Sequence, residues 1–352
     1  EGLNLTVRHC WFHHNENGIL CGEYHPSTVR IEYSEFGHHG FGDGYSHNLY
    51  IGNVDSLIFR FNYSHHADVG HELKSRAWVN VIEYNRIGNE ADGTASREID
   101  LPNGGQAYLI GNVIQQGLQS ENSNIVGFGM EGLSNPGPQE FYAVNNTIVN
   151  EKANGSFFQA PADVFFKAYS NVLAGGGEFM PTWPTTIDTL ANLRTLDIAS
   201  VEFFDATNYD YHIEENSPAH NLGFPAGLAT SGYPLVALYE YVHPTSVVLR
   251  CQHATLDAGA FETCTTGIRV QETEGIAIFP NPASYQLTIK VPTGVTIHGV
   301  EIFDGKGRSV RRELGRSTER SVVDVSALAP GHFSTRVSTS AGTWQRAFVK
   351  LP

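Results

Sequence analysis

Short runs along the first half of the chain alternate apolar and polar residues for a few positions and then stop at a turn, the pattern of half-buried strands. One version recurs: an apolar strand, a small polar residue, then an apolar residue two positions on. It occurs around Cys10 (VRHCWF), Ser34 (IEYSEF), Asn62 (FRFNYS), Asn85 (IEYNRI), Asn112 (LIGNVI), Asn146 (AVNNTI) and Asn171 (AYSNVL). The spacings are 24, 28, 23, 27, 34 and 25 residues. The apolar match fails at Ser64, and the longest spacing implies a loop inserted near Leu118–Asn124. A period in the twenties with three short strands per repeat predicts a coiled stack of strands, a β-solenoid. Asn62, Asn85, Asn112, Asn146 and Asn171 are expected to form one column at a corner. Asn tolerates the left-handed conformation of a sharp corner, and its amide can hydrogen-bond up the stack. No leucine ladder is present, and the period is too short for propeller blades.

Two further runs resemble each other, Gly70–Arg76 and Ser96–Pro102, aligned 26 residues apart from Leu73 to Ile99. Parity turns Leu73, Ser75, Ile99 and Leu101 inward, with Arg97 on the same side, and turns Glu72, Lys74, Arg76, Glu98 and Asp100 outward. One coil would then stack Glu72 beside Glu98 and Lys74 beside Asp100. Residues 176–264 are less regular and are expected to close the solenoid. Thr186–Ser200 reads as one short helix, with Leu190, Leu193 and Leu196 on a stripe. A polar linker, 265–275, leads to a second region, 276–352, with its own strand pattern.

Composition agrees with an all-β chain. Val, Ile, Tyr, Phe, Thr, Asn and Gly are common, and helix-forming runs are scarce. The hydrophobic fraction of 41% supports a core, and no apolar run reaches membrane-spanning length. The chain opens close to a strand, so a start inside the domain is expected. The net charge of −15 is uneven: residues 1–266 hold 11 basic and 30 acidic groups, and the remainder 11 and 7. Such a solenoid should repel nucleic acid, and action on an acidic polymer would need a local cationic site or a bound metal.

The repeats resemble the right-handed, single-stranded parallel β-helix of the pectate-lyase-like superfamily, over roughly residues 1–175. Asp210–Ala219 (DYHIEENSPA) and Leu256–Glu262 (LDAGAFE) resemble segments that close many secreted helices of this kind. In the last region, Phe279–Ala283, Gln286–Ile289, Val300–Asp304 before the turn Gly305–Arg308, Asp324–Gly331, Phe333–Val337 and Phe348–Lys350 follow in the order of the C-terminal sorting domain of type IX secretion, a small β-sandwich. His332-Phe333 stands where that family has one aromatic directly after the glycine. The resemblance implies export across a Gram-negative outer membrane, to the cell surface or medium, by the type IX machinery. An extracellular protein would carry disulfides, and two local bridges are expected, Cys10–Cys21 and Cys251–Cys264.

Lyases of this scaffold hold Ca²⁺ on acidic side chains of an outer strand face. The ion takes the substrate's uronate carboxylate, and a Lys or Arg removes the C5 proton, which becomes acidic once that carboxylate is neutralised. The resemblance therefore implies Glu72, Glu98 and Asp100 as ligands of Ca²⁺, Lys74 as base, and Arg76 or Arg97 as neutralising cation. Base and metal stand together, because three carboxylates oppose a basic Lys74 unless a cation offsets them. His47 and His71, at the start of neighbouring outer strands, would line a substrate groove with Asn48, Tyr50 and Asn103, and Glu131 could extend it. The histidine pairs His13-His14, His38-His39 and His65-His66 should stack in successive coils, as an aromatic ladder or as a transition-metal site with Asp43 or Asp68. The leading expectation is a monomeric, secreted lyase acting on a uronate-containing polysaccharide. The rivals are a glycoside hydrolase using Glu98 and Asp100, about 7 Å apart by strand rise, and a glycan-binding adhesin without turnover.

Overall fold

The computed structural model describes residues 3–251, 255–263, 276–281, 283–304 and 308–350. The chain forms two units, Glu1–Cys264 and Thr265–Pro352. The first is a parallel β-solenoid of about seven turns. Its strands stack in three sheets. The first runs from Leu5–Arg8 through Val79–Glu83 and Gln106–Ile110 to Thr186–Leu190, and the second from Trp11–His13 through Tyr63–His65 to Leu193–Thr195. The third holds Ile19–Cys21, Leu49–Ile51, His71–Ser75, Arg97–Leu101, Asn124–Phe128 and Ser156–Gln159. Every neighbouring pair within these sheets is parallel, one coil apart. The β-branched and aromatic residues of the repeat therefore meet their equivalents above and below. Ile31, Phe59, Ile82, Leu109, Ala143 and Ala168 form one such inward file, each fully buried.

The asparagine column forms at the corner between the first two sheets and continues to Asn192. Asn85 is typical: its Nδ2 donates to Asn112 Oδ1 at 3.0 Å and to the Phe59 carbonyl at 2.9 Å, and its backbone N–H also donates to Asn112 Oδ1. The left-handed residue is the one before it. Tyr33, Phe61, Tyr84, Gly111, Asn145, Ser170 and Ala191 all have φ between 52° and 67°. Asn is thus selected for its amide, which satisfies the polar groups that the corner exposes, and not for its backbone freedom.

Three expectations change. Thr186–Ser200 is no helix: Thr186–Leu190 and Leu193–Thr195 add a further coil, with Asn192 in the ladder, and only Ile198–Val201 is a 3₁₀ turn. The leucine spacing that suggests a helix is interrupted by the left-handed corner at Ala191. The extra length between Asn112 and Asn146 lies at residues 129–139, which connect two strands where 102–105 suffice in the coil before, and not near Leu118–Asn124. Cys10 and Cys21 are free thiols at different corners of one coil, and each donates to a nearby carbonyl. Cys264 of the second expected bridge lies outside the described residues.

Chain beyond the last coil packs on the solenoid's outer faces. Ala226, Leu235 and Ala237 cover Tyr84, Tyr108 and Tyr142, and Ala258, Ala260 and Phe261 cover Val113, Val149 and Val172. Arg250 and Glu262, both buried, form an ion pair there at 2.8 Å. The second unit has two antiparallel sheets of three and four strands around one core of Leu287, Ile289, Val300, Ile302, Val323, Val337 and Phe348. Among the described residues no helix is long and apolar enough to cross a membrane.

Candidate functional site

The third sheet carries the charged residues, but its alternation breaks at each strand's start. Leu49, Leu73, Ile99, Val126 and Phe158 are in the core, and so are the residues just before them: Asn48, Glu72, Glu98, Ile125 and Phe157. Two successive inward residues reset the parity, so Arg97 faces outward and Glu72 and Glu98 do not. Glu72 accepts from the Ala67 N–H at 2.9 Å, from Ser64 Oγ at 3.1 Å and from Asn48 Nδ2. Ser64 stands in the inward file between Phe36 and Ile87, which explains the failed apolar match there. Burial, only partly offset by those donors, pushes the Glu72 carboxyl up to about 8. Glu98, beside Asn89 and Gln116, is raised well above the usual range by burial, with the nearby Glu72 adding to it.

The outward column is Tyr50, Lys74, Asp100 and Gly127. Lys74 Nζ lies 3.2 Å from Asp100 Oδ2 and donates to Glu131 Oε1 at 3.0 Å, with its side chain only 12% exposed. Asp100 also meets His71 Nε2 at 3.4 Å and Arg97 Nη1 at 3.1 Å. Burial alone would raise its pKa, but the hydrogen bond from His71 and the Arg97 and Lys74 charges hold it well below the carboxylate range. Arg76 donates from Nε to Tyr50 Oη at 2.7 Å, from Nη2 to Glu131 Oε2 at 2.7 Å and from Nη1 to Asn103 Oδ1. Glu131 comes from the long 129–139 connection and is half exposed. Arg97 Nε is buried without a partner, and the absent side chain at Gly127 leaves room there: a Cβ would lie 3.4 Å from that atom.

His47 and His71 edge this face, stacked at 5.0 Å. His47 Nδ1 accepts the His71 backbone N–H and His71 Nδ1 accepts that of Arg97, so each ring caps the next strand. Burial lowers the His47 pKa to about 3, and His71 and Lys74 add to that.

The structure therefore assembles Tyr50, Lys74, Arg76, Arg97, Asp100, Asn103 and Glu131, with His47 and His71 at the rim. It separates Asn48, Glu72 and Glu98 from them. The expected Ca²⁺ ligands Glu72, Glu98 and Asp100 do not converge: two are inside the solenoid, and the third is saturated by cations. These residues do not fit that ion. Nor do Glu98 and Asp100 share a face, as the hydrolase reading needs. Sequence reasoning missed Gly127; its place one coil from Asp100 was the available signal.

A second constellation lies on the second sheet. His14, His38 and His66 occupy left-handed corner positions and stack at 5.0 and 4.8 Å. The pairs are thus offset by one, and His39 turns inside, hydrogen-bonded to the Phe12 carbonyl. His13 and His65 share a register position, with Gly37 between them. Both are lowered in pKa chiefly by burial, His65 to about 2. Asp43 and Asp68 are engaged with loop partners instead, Ser46 and Thr94.

Residues 277–350 match the family described as the secretion system C-terminal sorting domain. With such a tail the protein is exported across the outer membrane, to the cell surface or beyond. No curated protein and no solved structure is significantly similar to the chain.

Proposed function

We propose that this exported β-solenoid acts on an acidic polysaccharide by β-elimination next to a uronate carboxylate. One observation carries the reading: Lys74, on the strand His71–Ser75, and Arg76, just past its end, share a single half-exposed carboxylate, Glu131. Glu131 then stands where a uronate would bind, and the long connection that delivers it can withdraw. Arg76, preset by Tyr50 and Asn103, grips the incoming carboxylate and neutralises it. Arg97, held by Asp100 through Nη1 beside Gly127, adds a second positive charge. Lys74, once it has given up its own proton, is the group positioned to take the C5 proton, with Arg76 and Arg97 supplying the positive charge in place of a metal ion, and Asp100 holds its side chain in place. Tyr50 offers a ring face to a sugar. No step is routed through Ca²⁺.

A binding-only surface is the second reading, favoured by the two ion pairs that already engage Lys74. A panel of alginate, polygalacturonate and chondroitin sulfate separates the two. Absorbance from an unsaturated product, lost in Lys74→Ala, supports elimination. Reducing ends without that absorbance indicate hydrolysis, and binding without turnover indicates an adhesin.

A further inference from the structure

We infer that His13, Glu35 and His65 form a binding site for a divalent transition-metal ion of the zinc class, apart from the Lys74 face. Glu35 Oε1 lies 3.1 Å from His13 Nε2 and 3.4 Å from His65 Nε2. A tetrahedral ion with bonds of about 2.0–2.1 Å separates its ligand atoms by roughly 3.3 Å. Both carboxylate–imidazole distances stand near that spacing, and all three ligand atoms lie within 4.8 Å of one another. Their side chains are 14%, 25% and 8% exposed, so the site is reachable from solvent yet fixed in place. Two imidazoles and a carboxylate suit zinc-class or ferrous ions and leave a coordination position open.

Gly37 is a second, independent sign. Its φ is not in the left-handed region, so the backbone does not require glycine there. Its missing side chain provides space: a Cβ would lie 2.5 Å from Cε1 and Nε2 of His65. Only with glycine at that place can the His65 ring lean across one coil towards His13 and Glu35.

Asp92 Oδ1, His66 and His65 continue the chain to Glu35 through contacts of 3.0, 2.7 and 3.4 Å. The Asp92–His66 relay is the outer support that metal-bound imidazoles commonly have. Trp11 Nε1 donates to Glu35 at 3.1 Å and steadies the carboxylate. Stacking accounts for His14 and His38 in the corner ladder, whereas His66 also meets His65 and Asp92.

The test titrates Zn²⁺ into the chelator-treated full chain by calorimetry, with Ca²⁺ as the control ion. Wild type is expected to bind one Zn²⁺, with His13→Ala and Glu35→Gln weaker by at least about tenfold. Gly37→Ala should weaken it comparably, and His38→Ala should leave it unchanged. Co²⁺ in place of Zn²⁺ should give a visible absorption band that His13→Ala removes. Circular dichroism checks that the variants fold; His13 and Glu35 lie outside the core, so they should. Affinity equal to wild type in both His13→Ala and Glu35→Gln overturns the assignment. So does loss in His38→Ala alone, which would put the ion on the other nitrogen of His65.

Discussion

Glu72 and Lys74 are two positions apart and fare oppositely, and that difference carries a pH dependence. The Glu72 carboxyl titrates near 8 in the folded chain, against an ordinary value of 4.5. Between those values the folded state holds a proton that the unfolded state has released. Stability from this group is therefore fully present below about pH 4.5 and falls until about pH 8, at about 1.4 kcal/mol per pH unit. Glu98 adds in the same direction. Asp100 works in reverse: its lowered pKa stabilises the fold above its unfolded value and is lost in acid. The buried histidines work against this below their unfolded value of 6.5, where the unfolded chain protonates them and the fold does not, so the denaturant midpoint of wild type should fall from about pH 7 to pH 8, and Glu72→Gln should flatten that fall. An unchanged slope in Glu72→Gln would show that its carboxylate is ionised in the fold. Strict alternation reads Lys74, Arg76 and Asp100 as outward and is right for them. It misreads Glu72, Glu98 and Arg97 because two inward residues in succession begin each strand, a feature no period-two pattern carries.

At the scale of the element, the coil and its asparagine corner were legible because one side chain satisfies the same corner groups in every turn. Asn112→Ala would leave the Asn85 N–H and the Ile82 carbonyl without their partners in a buried ladder. Its expected cost is about 2–4 kcal/mol. Asn192→Ala, at the ladder's exposed end, should cost less. Equal denaturation midpoints for the two variants would mean that the column is not a cooperative ladder. The last coil, Thr186–Thr195, was illegible because three leucines at helical spacing compete with a pairing that only the neighbouring coil reveals. The 129–139 connection was visible as surplus length, but the pattern assigned that surplus to the wrong side of its strand.

For the whole molecule, export and body are separable. Deleting residues 276–352 should leave a folded solenoid that stays inside the outer membrane, because the sorting domain lies wholly in that stretch. Secretion of the truncated chain would assign the address elsewhere. A body as acidic as residues 1–266 repels uronate polymers at long range, so any such substrate must be won at a local cationic site. The Lys74–Arg76 pair under Glu131 is the site we propose for it. The direct measurement is the affinity of the full chain for a uronate polymer in wild type, Glu131→Gln and Arg76→Ala. Removing the resident carboxylate should tighten binding by up to about fivefold, the worth of an exposed ion pair, and Arg76→Ala should abolish it. Unchanged or weaker binding in Glu131→Gln, or normal binding in Arg76→Ala, would contradict the account.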